Sequence, residues 1–189
     1  MALTSTAILN RALQYIGNNQ PPVTGLYPNF DSSANGKAGN LLYGQAVQTV
    51  SRQFGWDFAR HSVALGLTDN VAPFPWALEY LYPNDSIEIW QLLPATLTDP
   101  NNPLPIRWNV GNNVVDGTQK KVIWTNLVAA HAYYNNNPTE ATWDPLFVEA
   151  LVRLLGSELA MATGGRPDTS QSLLESGSAM ESLAETRPD

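Results

Sequence analysis

The run Trp143 to Ala160, WDPLFVEALVRLLGSELA, constrains the fold more than any other part of this 189-residue chain. Asp144 stands where a helix cap belongs, and Pro145 takes the first helical position, where its missing N–H costs nothing. Beyond that start, only Glu149, Arg153, Ser157 and Glu158 interrupt Leu146, Phe147, Val148, Ala150, Leu151, Val152, Leu154, Leu155, Leu159, Ala160 and Met161. An ordinary surface helix has one apolar stripe and a polar opposite face. Here the polar residues step by four and leave one narrow stripe, so the rest of the helix needs cover from the chain's own core or from a neighbouring subunit. Gly156 and Ala160 leave room for a close neighbour.

Composition narrows what that cover is. Charged residues make up 14% of the chain, well under the usual quarter or so, and Asn, Pro, Gly, Thr and Ser fill the gap. Long polar loops and a surface partly covered in an assembly follow from this. The formal net charge is −7, and no basic cluster exceeds Lys120-Lys121. Tight capture of nucleic-acid phosphates is therefore not expected, whereas an acidic wall would let nucleic acid slide past. Without cysteine the chain has no disulfides, thiolate metal sites or cysteine nucleophiles. The opening MALTSTAILNRALQYIG lacks the basic start, long apolar run and cleavage site of a signal peptide. No apolar run approaches the roughly 20 residues of a membrane span.

Helical spacing recurs in Ala7, Ile8, Leu9, Ala12, Leu13 and Ile16, starting at Thr4 or Ser5 and ending at Gly17. NNQPPVTGLYPNFDSS reads as a loop, after which Asp31 or Ser32 caps a second helix to about Phe54. Its expected apolar stripe is Ala34, Ala38, Leu41, Leu42, Ala46, Val47 and Val50, with Gly36, Gly39 and Gly44 permitting close approach. From Trp56 to Tyr134 the period shortens toward two. The expected strands are Ile87–Leu93, Ile106–Val110, Lys120–Trp124 and Leu127–Tyr134, linked by turn chemistry in TDPNNPLP, VGNN and DGTQ. In the last strand, β-branched and aromatic ends outweigh the helix preference of its alanines. The sequence thus predicts an α+β protein: an antiparallel helical bundle, with helices near 4–16, 31–54, 145–162 and 170–185, and a β-rich insertion between the second and third. Residues 1–55 and 142–189 would form the bundle and 56–141 the insertion.

Chemistry-bearing motifs are scarce. His61 and His131 have no partner at metal-ligand spacing, and no phosphate loop or nucleophile elbow occurs, so neither cofactor nor metal is expected. Paired carboxylates are the remaining catalytic option: Asp85 and Glu88 flank an aromatic strand and Asp57 follows Trp56, the raw material of a glycoside hydrolase. The plainer reading makes Asp85 a turn residue and Glu88 the wet face of a strand. The six tryptophans lack interleaved basic residues and fit cores and subunit interfaces better than nucleobase stacking. The amphipathic, Ser-rich C-terminal segment reads as a frayed tail or as an arm that orders on a partner.

Four stretches resemble one family. AILNRALQYIGNNQPPVTGL resembles the opening helix and loop of tail tubular protein A, the head-to-tail adaptor of short-tailed phages. AGNLLYGQAVQTVSRQFGWDFAR resembles that family's second helix with its W-x-F ending, and PFPWALEYLYPNDSIEIWQL resembles the P-x-W-x-x-x-Y-x-x-P-x-D passage of phage adaptors. TWDPLFVEALVRLLGSELA resembles the family's FDPLFVEALA…ELA helix. The resemblance implies a homo-oligomeric ring, usually a dodecamer, at the virion neck between the portal protein and the tail nozzle (tail tubular protein B). Double-stranded DNA would pass through its lumen, and no membrane would be involved. The implied roles are structural, not enzymatic. Within that picture Leu173, Leu174, Met180 and Leu183 are the candidate portal contacts, and Trp90 and Trp108 the candidate nozzle or inter-subunit contacts. The enzymatic alternative is a virion-associated peptidoglycan hydrolase using Asp85 and Glu88.

Overall fold

Helix caps set the first elements. The computed structural model describes residues 4–53, 55–96, 106–136, 139–164 and 171–178. The Thr4 hydroxyl accepts from the Ala7 N–H at 3.2 Å and starts α1 (Ser5–Tyr15). Gly17, at φ 67°, ends it, as a residue without a Cβ can. The segment expected as loop contains a hairpin, β1 (Gly25–Leu26) and β2 (Asn29–Phe30). Helix α2 (Ala34–Gln53) is capped by neither Asp31 nor Ser32: the Ser33 hydroxyl accepts from the Gly36 N–H at 3.0 Å. Asp31 instead accepts from the Thr24 and Ser33 N–H groups and ties the hairpin to the helix start.

The buried face of α2 is Gly36, Gly39, Tyr43, Ala46, Val47 and Val50, rotated from the expected stripe, so that Leu41 is exposed. Gly39 decides this rotation. A Cβ there would come within 2.5 Å of the Leu9 side chain, so α1 lies against α2 only where that side chain is missing.

Helix α3 (Pro145–Gly164) is the element the others cover. Asp144 caps it, its carboxylate accepting from the Leu146 N–H at 2.7 Å. Both α1 and α2 pack on it, and Phe147, Leu151, Leu155 and Leu159 are fully buried. Trp56, Phe58 and Trp143 surround Phe147 edge-on at 4.8–5.2 Å between ring centres. The expected polar stripe is also covered: Glu149 pairs with Arg153 at 2.8 Å and with Arg11, and accepts from the Tyr15 hydroxyl at 2.9 Å. A short helix α4 (residues 171–178) closes one side. Its Leu173 sits beside Gly156, and Arg153 donates to the Ser176 hydroxyl at 2.8 Å.

The chain divides into two compact units, Met1–Phe58 with Pro138–Asp189, and Ala59–Asn137. The second contains β3 (Arg60–Ala64), β4 (Leu78–Leu81), β5 (Ser86–Pro94), β6 (Trp108–Val115), β7 (Thr118–Thr125) and β8 (Ala130–Asn136). They form two antiparallel three-stranded sheets, ordered β3-β8-β5 and β4-β7-β6. Tyr80, Ile89, Leu92, Ile123, Ala130, Ala132 and Tyr134 from both sheets make one core. Asp116 and Gly117, at φ 52° and 75°, make the tight β6–β7 turn expected of DGTQ.

The expected helical bundle with one β-rich insertion is therefore overturned. The protein is mixed α/β, with helices and three small antiparallel sheets, and strands make up 30% of the described residues against 41% helix. β1 and β2 lie in the stretch read as a loop, and β3 and β4 in parts of the β-rich stretch where no strand was expected, because two to five residues are too few to display a period of two. VGNN is not a turn but the interior of β6, and Asn135 and Asn136 extend β8 instead of ending it. TDPNNPLP lies outside the described residues, as does the final part of the expected last helix.

Candidate functional site

Strand alternation in β4 produces the most unusual feature of the β unit. Leu78 and Tyr80 face the shared core, so Glu79, between them, faces the other way. That outer face is not wet. The segment 66–77 covers it, and Glu79 is only 1% exposed. Four neutral donors surround its carboxylate: the Thr68 hydroxyl and Asn70 amide on Oε1, both at 2.9 Å, and the Asn113 amide and Trp124 indole N–H on Oε2, at 2.9 and 2.8 Å. Burial pushes the carboxyl pKa up, but the bonds from Asn113, Trp124, Asn70 and Thr68 outweigh it and hold the group below its ordinary value. Glu79 thus remains a buried anion that, among the described residues, is held by neutral donors. Gly111 makes this possible, because a Cβ on that residue of β6 would overlap the Trp124 ring.

The network fixes the loop above it. The Thr68 N–H donates to the Glu79 carbonyl at 2.9 Å, and the Asn70 amide reaches the Val114 carbonyl at 3.0 Å. On the return side, the Trp76 N–H donates to the Pro73 carbonyl at 2.9 Å and the Ala77 N–H to the Asn126 side chain at 2.7 Å. Ala72 is buried beneath. Above this framework Val71 is 93% exposed and Phe74, between Pro73 and Pro75, is 98% exposed. The braced loop thus holds two large apolar side chains in water at its tip.

A cleft opens on the core side of the same unit. Leu81, Tyr82, Pro83 and Asn84 form its shared ridge, with Val63, Ala64, Leu65, Gly66 and Tyr134 on one side and Ser86, Gln119, Lys120 and Lys121 on the other. Each side encloses about 490 Å³. The Lys121 ammonium stands 3.6 Å over the Tyr82 ring, and Lys120 pairs with Asp116 at 3.1 Å. The Tyr134 hydroxyl donates to both oxygens of Asp85, at 2.9 and 3.1 Å. Burial, with Asp85 beside it, pushes the Tyr134 hydroxyl pKa up to about 12. A second cleft of about 480 Å³, in the helical unit, is lined by amides and small residues, including Asn18, Asn19, Gln20, Asn35 and Ala160.

The residues singled out from sequence scatter. Leu173 is buried in its own unit, whereas Leu174 is 44% exposed. Met180 and Leu183 lie outside the described residues. Trp90 falls within a register irregularity of β5 and is exposed there. Trp108 is half-buried, packed against the β core. Asp85 lines the cleft on the Tyr134 side, but Glu88 is not among its lining residues and is exposed on β5. His61 lies edge-on to Tyr134, and among the described residues no His, Asp and Glu cluster could hold a metal ion. Sequence reasoning missed Glu79 and its donors because an acid in an alternating strand ordinarily marks the wet face. The signal available was PFPW just upstream, an aromatic pair punctuated by prolines.

A scan of protein-family models and a search of curated proteins both return no match to the chain. Among the described residues, no helix is long and apolar enough to cross a membrane.

Proposed function

We propose that the chain is a structural adaptor of a short-tailed phage virion. Copies would form a ring at the neck, twelve by resemblance to tail tubular protein A, with the portal on one face and the tail nozzle on the other. The single observation that carries this reading is the set of large apolar side chains in open solvent on both units. Phe74 and Val71 stand on the β unit, and Leu41, Met161 and Leu174 on the helical one. Apolar and aromatic side chains of this kind are what an assembly interface covers. The resembling stretches also meet in space: the Trp56 and Phe58 of the W-x-F ending close around the Phe147 of DPLFVEAL. Net acidity suits a lumen that passes DNA without holding it.

Mixing the protein with the portal and nozzle proteins of the same phage and imaging the product tests the reading. A ring seated on the portal is expected, with Leu174→Asp weakening its attachment. Failure to associate with either protein refutes it. The hydrolase alternative gains no support, since Asp85 is engaged by Tyr134 and Glu88 does not line the same cleft.

A further inference from the structure

We propose that the Val71–Phe74 tip of one copy seats in the Tyr82 cleft of a second copy, making a head-to-tail contact between β units. The assignment rests on the assembly reading above and supplies the contact between its subunits. Three observations carry it. First, the knob and the cleft are separate surfaces of the β unit, since none of Val71 to Phe74 lines the cleft. The loop covers the face of the β4-β7-β6 sheet onto which Glu79 and Trp124 project, while the cleft is walled by Tyr82 and, from the β3 side, by Val63 and Leu65. A copy in this conformation leaves its own cleft open to the knob of another, and such heterologous contacts build rings or filaments. Second, charge is complementary. The loop carries one charged residue, exposed Asp69, whereas the cleft carries Lys120 and Lys121 on one side and, on the other, Asp85, already engaged by Tyr134. Lys120 already pairs with Asp116, leaving the Lys121 ammonium over Tyr82 to meet Asp69 of the neighbour. Third, the surfaces match in kind. Phe74 between two prolines offers a rigid apolar wedge, and the Val63–Gly66 and Leu81–Asn84 walls offer a slot of about 490 Å³ whose one carboxylate, Asp85, is held by the Tyr134 hydroxyl. Bracing from Glu79 and Asn126 means that little conformational freedom is lost on docking.

The absence of cysteine makes the test clean. One batch carries Phe74→Cys and a second, differently tagged, carries Asn84→Cys. The two are mixed at high concentration and oxidised. A mixed disulfide is expected, at least about tenfold above a control pairing Phe74→Cys with Thr49→Cys on α2, and Phe74→Cys alone should not link to itself. In a parallel arm, Asp69→Lys should weaken self-association by about tenfold and Lys121→Asp in the second batch should restore it. Equal linking to the control overturns the proposal, as does dominant self-linking of Phe74→Cys, which would indicate a symmetric contact. A charge swap without rescue also overturns it. A ring on the portal without the mixed disulfide leaves the adaptor reading intact and removes this contact. The mixed disulfide without portal association does the reverse.

Discussion

Replacing Glu79 by Gln tests whether the buried carboxylate organises the β unit. The amide keeps the shape but offers one acceptor oxygen where the carboxylate offers two. Of the four donors, Thr68 and Asn70 on Oε1 and Asn113 and Trp124 on Oε2, one pair must then face an NH₂ group. Each stranded buried donor costs about 1–3 kcal/mol, and losing the buried charge offsets part of that. A net destabilisation of about 3 kcal/mol follows, which for a unit the size of Ala59–Asn137 lowers its melting temperature by more than about 10 °C. The sign of the pH dependence is equally specific. The folded pKa lies below the unfolded one, so the carboxylate's contribution is fully present at neutral pH and is lost as pH falls through the folded value. Once protonated, Glu79 resembles Gln, and the two stability curves should converge in acid. Calorimetry of both proteins from pH 7 to pH 3 measures this. Equal stability at pH 7, or a difference that does not shrink on acidification, would refute the reasoning.

The other expectations concern single contacts. Gly111→Ala places a Cβ on the Trp124 ring, so the indole must leave Glu79; a loss of about 1–3 kcal/mol and a red-shifted Trp emission are expected. Leu173→Ala removes a buried side chain that lies against Gly156, at a cost of about 2–4 kcal/mol to the docking of α4, visible as faster amide exchange across residues 171–178. Among the described residues the buried Oε2 of Glu158 has no hydrogen-bond partner, and burial raises its pKa, so its charged form weakens the fold at neutral pH. Glu158→Gln should therefore raise the melting temperature at pH 7 and abolish the wild type's gain in stability as pH falls toward the unfolded pKa.

The helical unit was largely readable because its signals are local. Asp144-Pro145, the apolar density of α3 and the Gly17 stop each rest on adjacent residues. What failed depended on neighbours distant in sequence. The α2 stripe turned away from Leu41 because Gly39 is the position at which Leu9 needs space, and Leu9 belongs to another helix. Glu149 and Arg153 belong to the stripe read as polar and exposed, but Arg11 and Tyr15 close over Glu149 from α1. In the β unit, DGTQ announced its turn because positive φ at Asp116 and Gly117 is a property of those residues alone. VGNN carried the same turn chemistry and became strand interior, since ladder pairing with Lys120–Ile123 outweighed its weak intrinsic preference. The candidate site was the least legible part. Its five polar residues come from loop 66–77, β4, β6 and β7, and only the fold places them around one carboxylate.

Stability alone does not explain why an acid should occupy position 79. Well-packed apolar groups in place of a buried charge and its partners are often as stable or more so, and the face beneath loop 66–77 is otherwise apolar enough to be covered by Val or Leu. An apolar contact, however, is non-directional and leaves a covering loop free to shift along the sheet. The Glu79 network is directional. Two of its donors, Thr68 and Asn70, belong to the loop, and two, Asn113 and Trp124, belong to strands, so the carboxylate locks one to the other at a single register. That register determines where Phe74 stands. A ring left in water gains nothing for the isolated chain from being held still, but a partner that receives it avoids the entropy cost of fixing it. On the proposed contact, the buried acid and the exposed phenyl ring are two ends of one device, the first holding the second in place for the copy that receives it.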